Sequence, residues 1–245
     1  MRRTPEEFST PPEMSKADLH IHTKASDGTF TPYEMLEYVS AETDISVLAV
    51  TDHDEIDGAL EAAALADQFP GVDVIPGIEV STFDGHLIGL WVETAFPVLR
   101  SAEWTIDAIR EQGGLIVVPH PMSWLTLSFR PFTFRRLERK GYHFDAIEVM
   151  NASPAGKMSY EKALEIQQRL GVPQVGGSDA HILEGIGKAH TLFPGNTAED
   201  LREAINQNTT LARGGYFDLD ESMLYFRRKM RRYADWLGQT LVPGK

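Results

Sequence analysis

The feature that most constrains this chain is a series of short runs that are apolar at every position. Val47-Leu48-Ala49-Val50 and Leu115-Ile116-Val117-Val118 do not alternate apolar with polar residues. A strand with one wet face alternates, so runs like these belong to strands covered on both faces, the signature of a parallel sheet with helices packed against it. Eight segments read as strands: Ala17–His22, Ser46–Thr51, Val72–Ile78, His86–Val92, Leu115–Val118, Ala146–Met150, Pro173–Val175 and His190–Phe193. Helical patterns fall between them at Pro32–Glu42, Gly58–Phe69, Ala102–Gln112, Lys157–Leu170 and Thr197–Asn206. The first helix opens well, with Thr31 able to cap, Pro32 at the first helical position and Glu34 near the positive end. Strand and helix repeated in this way imply a parallel α/β sheet, open or closed into a barrel, with ligands gathering at the carboxyl ends of the strands.

A chain of 245 residues is of a size that single α/β barrels commonly occupy, so one main domain is expected. Residues 1–16, with Pro5, Pro11 and Pro12, read as an irregular lead-in, residues 17–215 as the barrel, and residues 216–245 as a C-terminal helical extension packed on it. The start leads into no apolar signal region and no apolar run approaches the length of a membrane span, so the expectation is a cytoplasmic protein without a membrane partner. With no cysteine there is no disulfide framework and no thiolate site, so any metal must be held by His nitrogen and Asp or Glu oxygen. A net charge of −13 argues against binding duplex nucleic acid but leaves room for a small phosphorylated substrate, provided metal supplies positive charge locally. The basic cluster Arg227-Arg228-Lys229 with Arg231 and Arg232 reads as a solvated helix face.

Of the eight histidines, six lie at or beside an expected strand: His20, His22, His53, His86, His120 and His181. In Asp18-Leu19-His20-Ile21-His22 the period of two puts both imidazoles on one side of the strand, able to grip one metal. The polar loop that follows can fold Asp27 back to the same mouth, although Asp27-Gly28 is also an ordinary turn pair. Thr51-Asp52-His53-Asp54 ends a buried strand on acid, imidazole and acid. A ligating His53 whose ring is oriented by a neighbouring carboxylate accounts for that cluster, while Asp54 and especially Asp57 read equally as caps for the next helix. Glu79 ends another strand and by itself could be a surface acid; Asp84-Gly85 reads as a hairpin turn before His86. Pro119-His120-Pro121 fixes an imidazole between two prolines, and Gly176-Gly177-Ser178-Asp179-Ala180-His181 combines close backbone approach with Asp179 and His181 at spacing two. His143 and His190 read as structural.

With these elements in this order, residues 17–195 resemble the PHP (polymerase and histidinol phosphatase) domain family, most nearly its small stand-alone metal-dependent phosphoesterases. The marks are His20-x-His22 with Thr23, Thr51-Asp52-His53, Gly77-Ile78-Glu79 and Ser178-Asp179-Ala180-His181, supported by Pro119-His120-Pro121. The resemblance implies a distorted (β/α)7 TIM-like barrel holding two or three divalent ions such as manganese, zinc or iron. His20, His22, Glu79 and Asp179 would hold the first; Glu79 would bridge to a second held by His86 and His120; Asp27, His53 and His181 would hold a third. Asp179, His181 and Glu79 would carry the catalytic roles, with hydroxide activated on the metals attacking a phosphate ester. Related enzymes acting on nucleotide bisphosphates carry an inserted substrate-covering region where this chain has only the short interval from Met122 to Ser178. The expected substrate is a small phosphomonoester, a nucleotide phosphate or a short oligonucleotide end, with Asn151, Lys24, Arg130 and Lys157 as candidate contacts and Lys188 a further loop cation. The competing readings are an amidohydrolase-type enzyme attacking C–N bonds and a metal-binding interaction module without activity.

Overall fold

The computed structural model describes residues 14–224, 226 and 227. Nine strands run in the order Met14–Ile21 (β1), Ile45–Val50 (β2), Asp73–Thr82 (β3), Gly85–Leu90 (β4), Leu115–Val118 (β5), Ala146–Asn151 (β6), Gln174–Gly177 (β7), Ala189–Pro194 (β8) and Leu211–Gly214 (β9). Helices occupy Pro32–Glu42 (α1), Asp57–Leu65 (α2), Ala102–Glu111 (α3), Pro131–Arg139 (α4), Pro154–Leu170 (α5) and Ala198–Asn206 (α6). The sheet order is β7-β6-β5-β4-β3-β2-β1-β8-β9, so β1 to β7 are neighbours in chain order.

This sheet curls into a nearly closed barrel. Strand β7 and the loop after it close onto β8 and β1 through side chains and one short bridge. Thr191 Oγ1 both accepts from Gly176 N and donates to Gly176 O, each at 2.9 Å, and Ile21 bridges Ala180 in parallel. Asp18 completes the closure: its carboxylate accepts from Ser178 N at 2.9 Å, Gly187 N at 2.8 Å and His20 N at 3.3 Å. Because a buried N–H left without an acceptor costs about 1–3 kcal/mol, Asp18→Ala is expected to destabilise the fold by about 3 kcal/mol or more. For a domain of this size that lowers Tm by about 10 °C. A calorimetric scan checks this; a shift smaller than about 2 °C would show that the closure does not depend on Asp18.

Each apolar run is split between two cores because strand side chains alternate. Val47, Ala49, Leu115 and Val117 join residues of the other barrel strands, together with Leu201, Ala204 and Ile205 of α6. Leu48, Val50, Ile116 and Val118 join the second core, against Met35, Leu36 and Val39 of α1 and Ile106 and Ile109 of α3. Full burial of each such side chain contributes about 1.5–3 kcal/mol, which is why both positions of the alternation are apolar.

The structure departs from the sequence expectations in several places. The sheet is not all parallel: β4 runs antiparallel to both β3 and β5, so the barrel's seven strands are joined by five helices and one hairpin. That hairpin turns at Phe83-Asp84 with Gly85 at φ +139°, and Asp84 is held by Arg136 at 2.8 Å. Met14–Lys16, assigned to the lead-in, extend β1 and pair antiparallel with β8. Helix α5 starts three residues early, since Ser153 caps it and Pro154 fits its first turn. Helix α4 and strand β9 were not foreseen. In α4 only Thr133, Phe134 and Leu137 are buried within a basic, aromatic stretch, and β9 is an edge strand of four residues with one buried side chain. Asp57 does not cap: α2 begins at it, Ile56 is the cap residue, and no side-chain capping bond forms. Residues 219–224 are helical, while residues 1–13 and the basic cluster from Arg228 onward lie outside the described residues. Among the described residues no helix is long and apolar enough to cross a membrane.

Candidate metal centre

All six strand-associated histidines converge at one mouth of the barrel, the carboxyl end of the parallel strands, with His86 reaching it from the start of the reversed β4. Ring centroids lie 5.0 Å apart for His20 and His22, 4.3 Å for His22 and His181, 4.5 Å for His22 and His53, and 5.0 Å for His53 and His86. His120 is 5.6 Å from both His20 and His86. Glu79 stands among them, fully buried. One of its oxygens is 2.8 Å from His86 Nδ1 and 3.0 Å from His120 Nε2; the other is 3.0 Å from His53 Nδ1, 3.4 Å from His20 Nε2 and 3.5 Å from His22 Nε2. Asp179 approaches His22 at 3.4 Å and His20 at 3.7 Å, and Asp27 lies 3.0 Å from His181 Nε2.

Local sequence explains how each group is held. Asp52, at the end of β2, accepts from Thr23 N at 2.7 Å, Thr23 Oγ1 at 2.6 Å and Ser26 Oγ at 2.5 Å, and so folds the loop that carries Asp27 inward. Asp54 accepts from Ser81 N at 2.7 Å, which fastens this loop to β3. These acids therefore brace backbone and hydroxyl groups, in place of the expected orientation of the His53 ring. His120 and Asp179 adopt left-handed backbone, φ +29° and +56°, a strain that non-glycine residues keep only where the surroundings enforce it. Gly177 has no room for a side chain: an added Cβ would lie 2.5 Å from the His20 Cβ and 2.7 Å from Glu148 Oε1.

Glu148 is the functional neighbour that sequence reasoning missed. It is 2% exposed, and its carboxylate contacts His20 Nδ1 at 2.9 Å, His120 N at 2.7 Å and Asn151 Nδ2 at 2.9 Å. The available signal was an acid inside the apolar run Ala146-Ile147-Glu148-Val149. By accepting the Nδ1 proton of His20 it turns Nε2 toward Glu79 and Asp179, the arrangement outer carboxylates impose on ligating histidines. Glu148→Gln is expected to weaken divalent-metal affinity about 10–100-fold, measured by titration calorimetry, and an unchanged affinity would remove it from this role.

Four sets of donor atoms lie within 4.8 Å of one another: His22, Asp27, His53 and His181; His20, His22 and Asp179; His20, Glu79 and His120; His53, Glu79 and His86. The grouping differs in detail from the expected one, since His22 also joins Asp27 and His181, and His120 shares a set with His20. The donors suit divalent cations. His20 Nε2, both ring nitrogens of His22 and Glu79 Oε2 are buried without a hydrogen bond, which an apolar interior would not tolerate at this density. Burial opposes ionisation of Asp27, Glu79 and Asp179, yet the surrounding imidazoles hold all three well below the usual carboxylate range. Burial and the neighbouring His181 and His53 push His22 down to about 3, and burial also lowers His86 against the pull of Glu79. Ionised carboxylates and neutral imidazoles are the states that coordinate metal. His20 goes the other way: burial works against its charge, but Glu148, Asp179 and Glu79 raise it well above its usual value.

The candidate substrate contacts are deployed differently. Asn151 is buried, donating to Glu148 at 2.9 Å and Asp179 at 3.4 Å while accepting from Ser153 N at 3.0 Å. Lys24 pairs with Glu34 at 3.2 Å, and Lys188 with Glu221 at 2.6 Å. The Arg130 guanidinium sits 4.4 Å over the Trp124 ring, and Lys157 sits 5.5 Å from the Tyr216 ring. His190 contacts Gly187 O at 3.0 Å and His143 is exposed, and neither belongs to a donor set.

Comparison with known proteins fits this geometry. A family model described as PHP-associated matches residues 157–210. An uncharacterized protein of Methanocaldococcus jannaschii is 38% identical over 148 residues, 56% of this chain and 82% of that one. The 3',5'-nucleoside bisphosphate phosphatase of Chromobacterium violaceum is 38% identical over 102 residues, 40% of this chain but only 34% of that enzyme. Among solved structures, a two-domain protein from Bacteroides vulgatus, described as containing a predicted PHP-like metal-dependent phosphoesterase, superposes with a TM-score of 0.68 at 19% identity, over 88% of this chain and 70% of that one. From the family match, the relatives and the shared fold, it follows that this chain belongs to the PHP family of metal-dependent phosphoesterases.

Proposed function

We propose that this protein hydrolyses a small phosphomonoester at the barrel mouth, with His20, His22, Asp27, His53, Glu79, His86, His120, Asp179 and His181 holding two or three divalent ions. The observation that carries this reading is a cavity of about 220 Å³ lined by His53, Glu79, His86, His120 and Asp179, with Leu125, Thr126 and Leu127 as its remaining wall. The donor sets thus line a space large enough for a phosphoryl group and part of its leaving group. When bound, the metal ions supply positive charge to the phosphoryl oxygens and activate water.

The chain's own groups set the rest. Three ionised carboxylates without cations repel a phosphate, so affinity for the ester depends on their being neutralised. Leu125 and Leu127 give the space an apolar wall opposite the charged donors. Asp179, whose Oδ1 lies 3.4 Å from His22 Nε2 and 3.7 Å from His181 Nδ1, is the group disposed to accept a proton from water and return one to the leaving oxygen. A P–O bond to water forms as the P–O bond to the alcohol breaks, releasing inorganic phosphate and the alcohol. The cytoplasm is the proposed setting.

The test is a phosphate-release screen over sugar phosphates, nucleotides and short oligonucleotides with the manganese-loaded full-length protein. The wild type is expected to release phosphate, with His53→Ala and Asp179→Ala each slower by at least about a hundredfold. Ammonia release from C–N substrates without any phosphate release, or full activity in both variants, would overturn the reading.

A further inference from the structure

The segment between β5 and α4 is anchored to the metal-type donors and exposes one large aromatic ring, Trp124. Thr126 Oγ1 and Ser128 Oγ lie 3.2 and 3.1 Å from His120 Nδ1 and 2.8 Å from each other. His86 N donates to Leu127 O at 3.0 Å, and Met122 N to Phe129 O at 3.1 Å. Both ends of the segment are therefore fixed relative to the cavity. Yet Trp124 is 74% exposed and Leu125 55%, although residues 125–127 wall the cavity itself.

Trp124 is not a loose surface ring. The Arg130 guanidinium lies 4.4 Å over its ring centre, and Arg130 Nη1 donates to Met122 O at 3.2 Å, so the pair is locked on its own loop. A rigid aromatic ring backed by a cation, with most of its area in water, is the arrangement on which flat π-systems stack, and bases do so irrespective of their sequence identity. The next residue in the chain, Leu125, already borders the cavity in which the phosphoryl group would sit.

We infer that Trp124, backed by Arg130, is a stacking platform for the base of a nucleoside phosphate whose phosphoryl group enters the neighbouring cavity. This deepens the phosphomonoesterase reading and rests on it. The platform selects leaving groups that carry a flat aromatic ring over bare sugars, from a loop of a few residues.

Adenosine 5′-monophosphate and ribose 5-phosphate isolate the base, since they present the same phosphorylated carbon. With the manganese-loaded full-length protein, kcat/KM for the nucleotide is expected to exceed that for the sugar phosphate by about tenfold, within the range that one base stack supplies. Trp124→Ala should abolish that ratio and Trp124→Phe should restore most of it. A wild-type ratio near one overturns the inference; so does a ratio unchanged in Trp124→Ala, the result expected if the residue only braces the loop. Calorimetric binding of the same two compounds separates this idea from the catalytic one. If neither ester is hydrolysed, the phosphoesterase reading fails, while tighter nucleotide binding that is lost in Trp124→Ala still upholds the platform. Equal binding of the two compounds to the wild type overturns it.

Discussion

Glu79→Gln is expected to lower phosphate release by about a thousandfold or more while leaving the barrel folded. Loss of a partner that only orients a ligand costs about 10–100-fold, and Glu79 is more central than that. Its two oxygens face five imidazoles at 2.8 to 3.5 Å, and it belongs to two of the four donor sets. Glutamine keeps the volume, so the surrounding core is not cavitated. However, it replaces one acceptor oxygen with an NH2 group that cannot coordinate, and it removes the charge that holds neighbouring cations together. The measurement is kcat/KM beside a thermal scan. A variant within tenfold of the wild type would show that Glu79 is a structural acid.

Removing metal is expected to have the second large effect. Each site that binds only the folded chain stabilises it by about 2.7 kcal/mol at a metal concentration of 100 times Kd, so two sites contribute about 5 kcal/mol. For a chain of this size that corresponds to about 10–20 °C in Tm. In the metal-free protein, Asp27, Glu79 and Asp179 remain ionised in a buried cluster, where little but imidazole offsets their charge. Chelation should therefore lower Tm by that amount and abolish phosphate release, and both should return with manganese, iron or zinc. Magnesium should restore less, because a set rich in imidazole favours borderline cations over those that prefer oxygen alone. A Tm unchanged by chelation would contradict the centre.

Particular residues show how much was legible in the sequence. Strand alternation paired His20 with His22, spacing two singled out Asp179 and His181 in the loop after β7, and the buried runs β2 and β5 pointed to His53 and His120 at their ends. These signals are local, since a strand fixes both side-chain direction and end point. Glu148 was hidden because its partners, His20 and His120, are 128 and 28 positions away, and only closure of the barrel reveals why an acid interrupts an apolar strand. Asp52 looked like a ring orienter next to His53, whereas its oxygens bind Thr23 and Ser26 in another loop. The reversed β4 was half visible, in Asp84-Gly85, but strand direction depends on pairing, which periodicity does not record. Arg130 and Lys157 had the right charge for phosphate contacts; their stacking on Trp124 and Tyr216 is tertiary information.

The most direct measurement is anomalous diffraction from a crystal of the full-length protein grown with manganese. Peaks among the imidazoles at the barrel mouth, with at least one flanked by Glu79, are the predicted result. Manganese found only on surface acids, with Glu79 still bonded to histidine alone, would contradict the account.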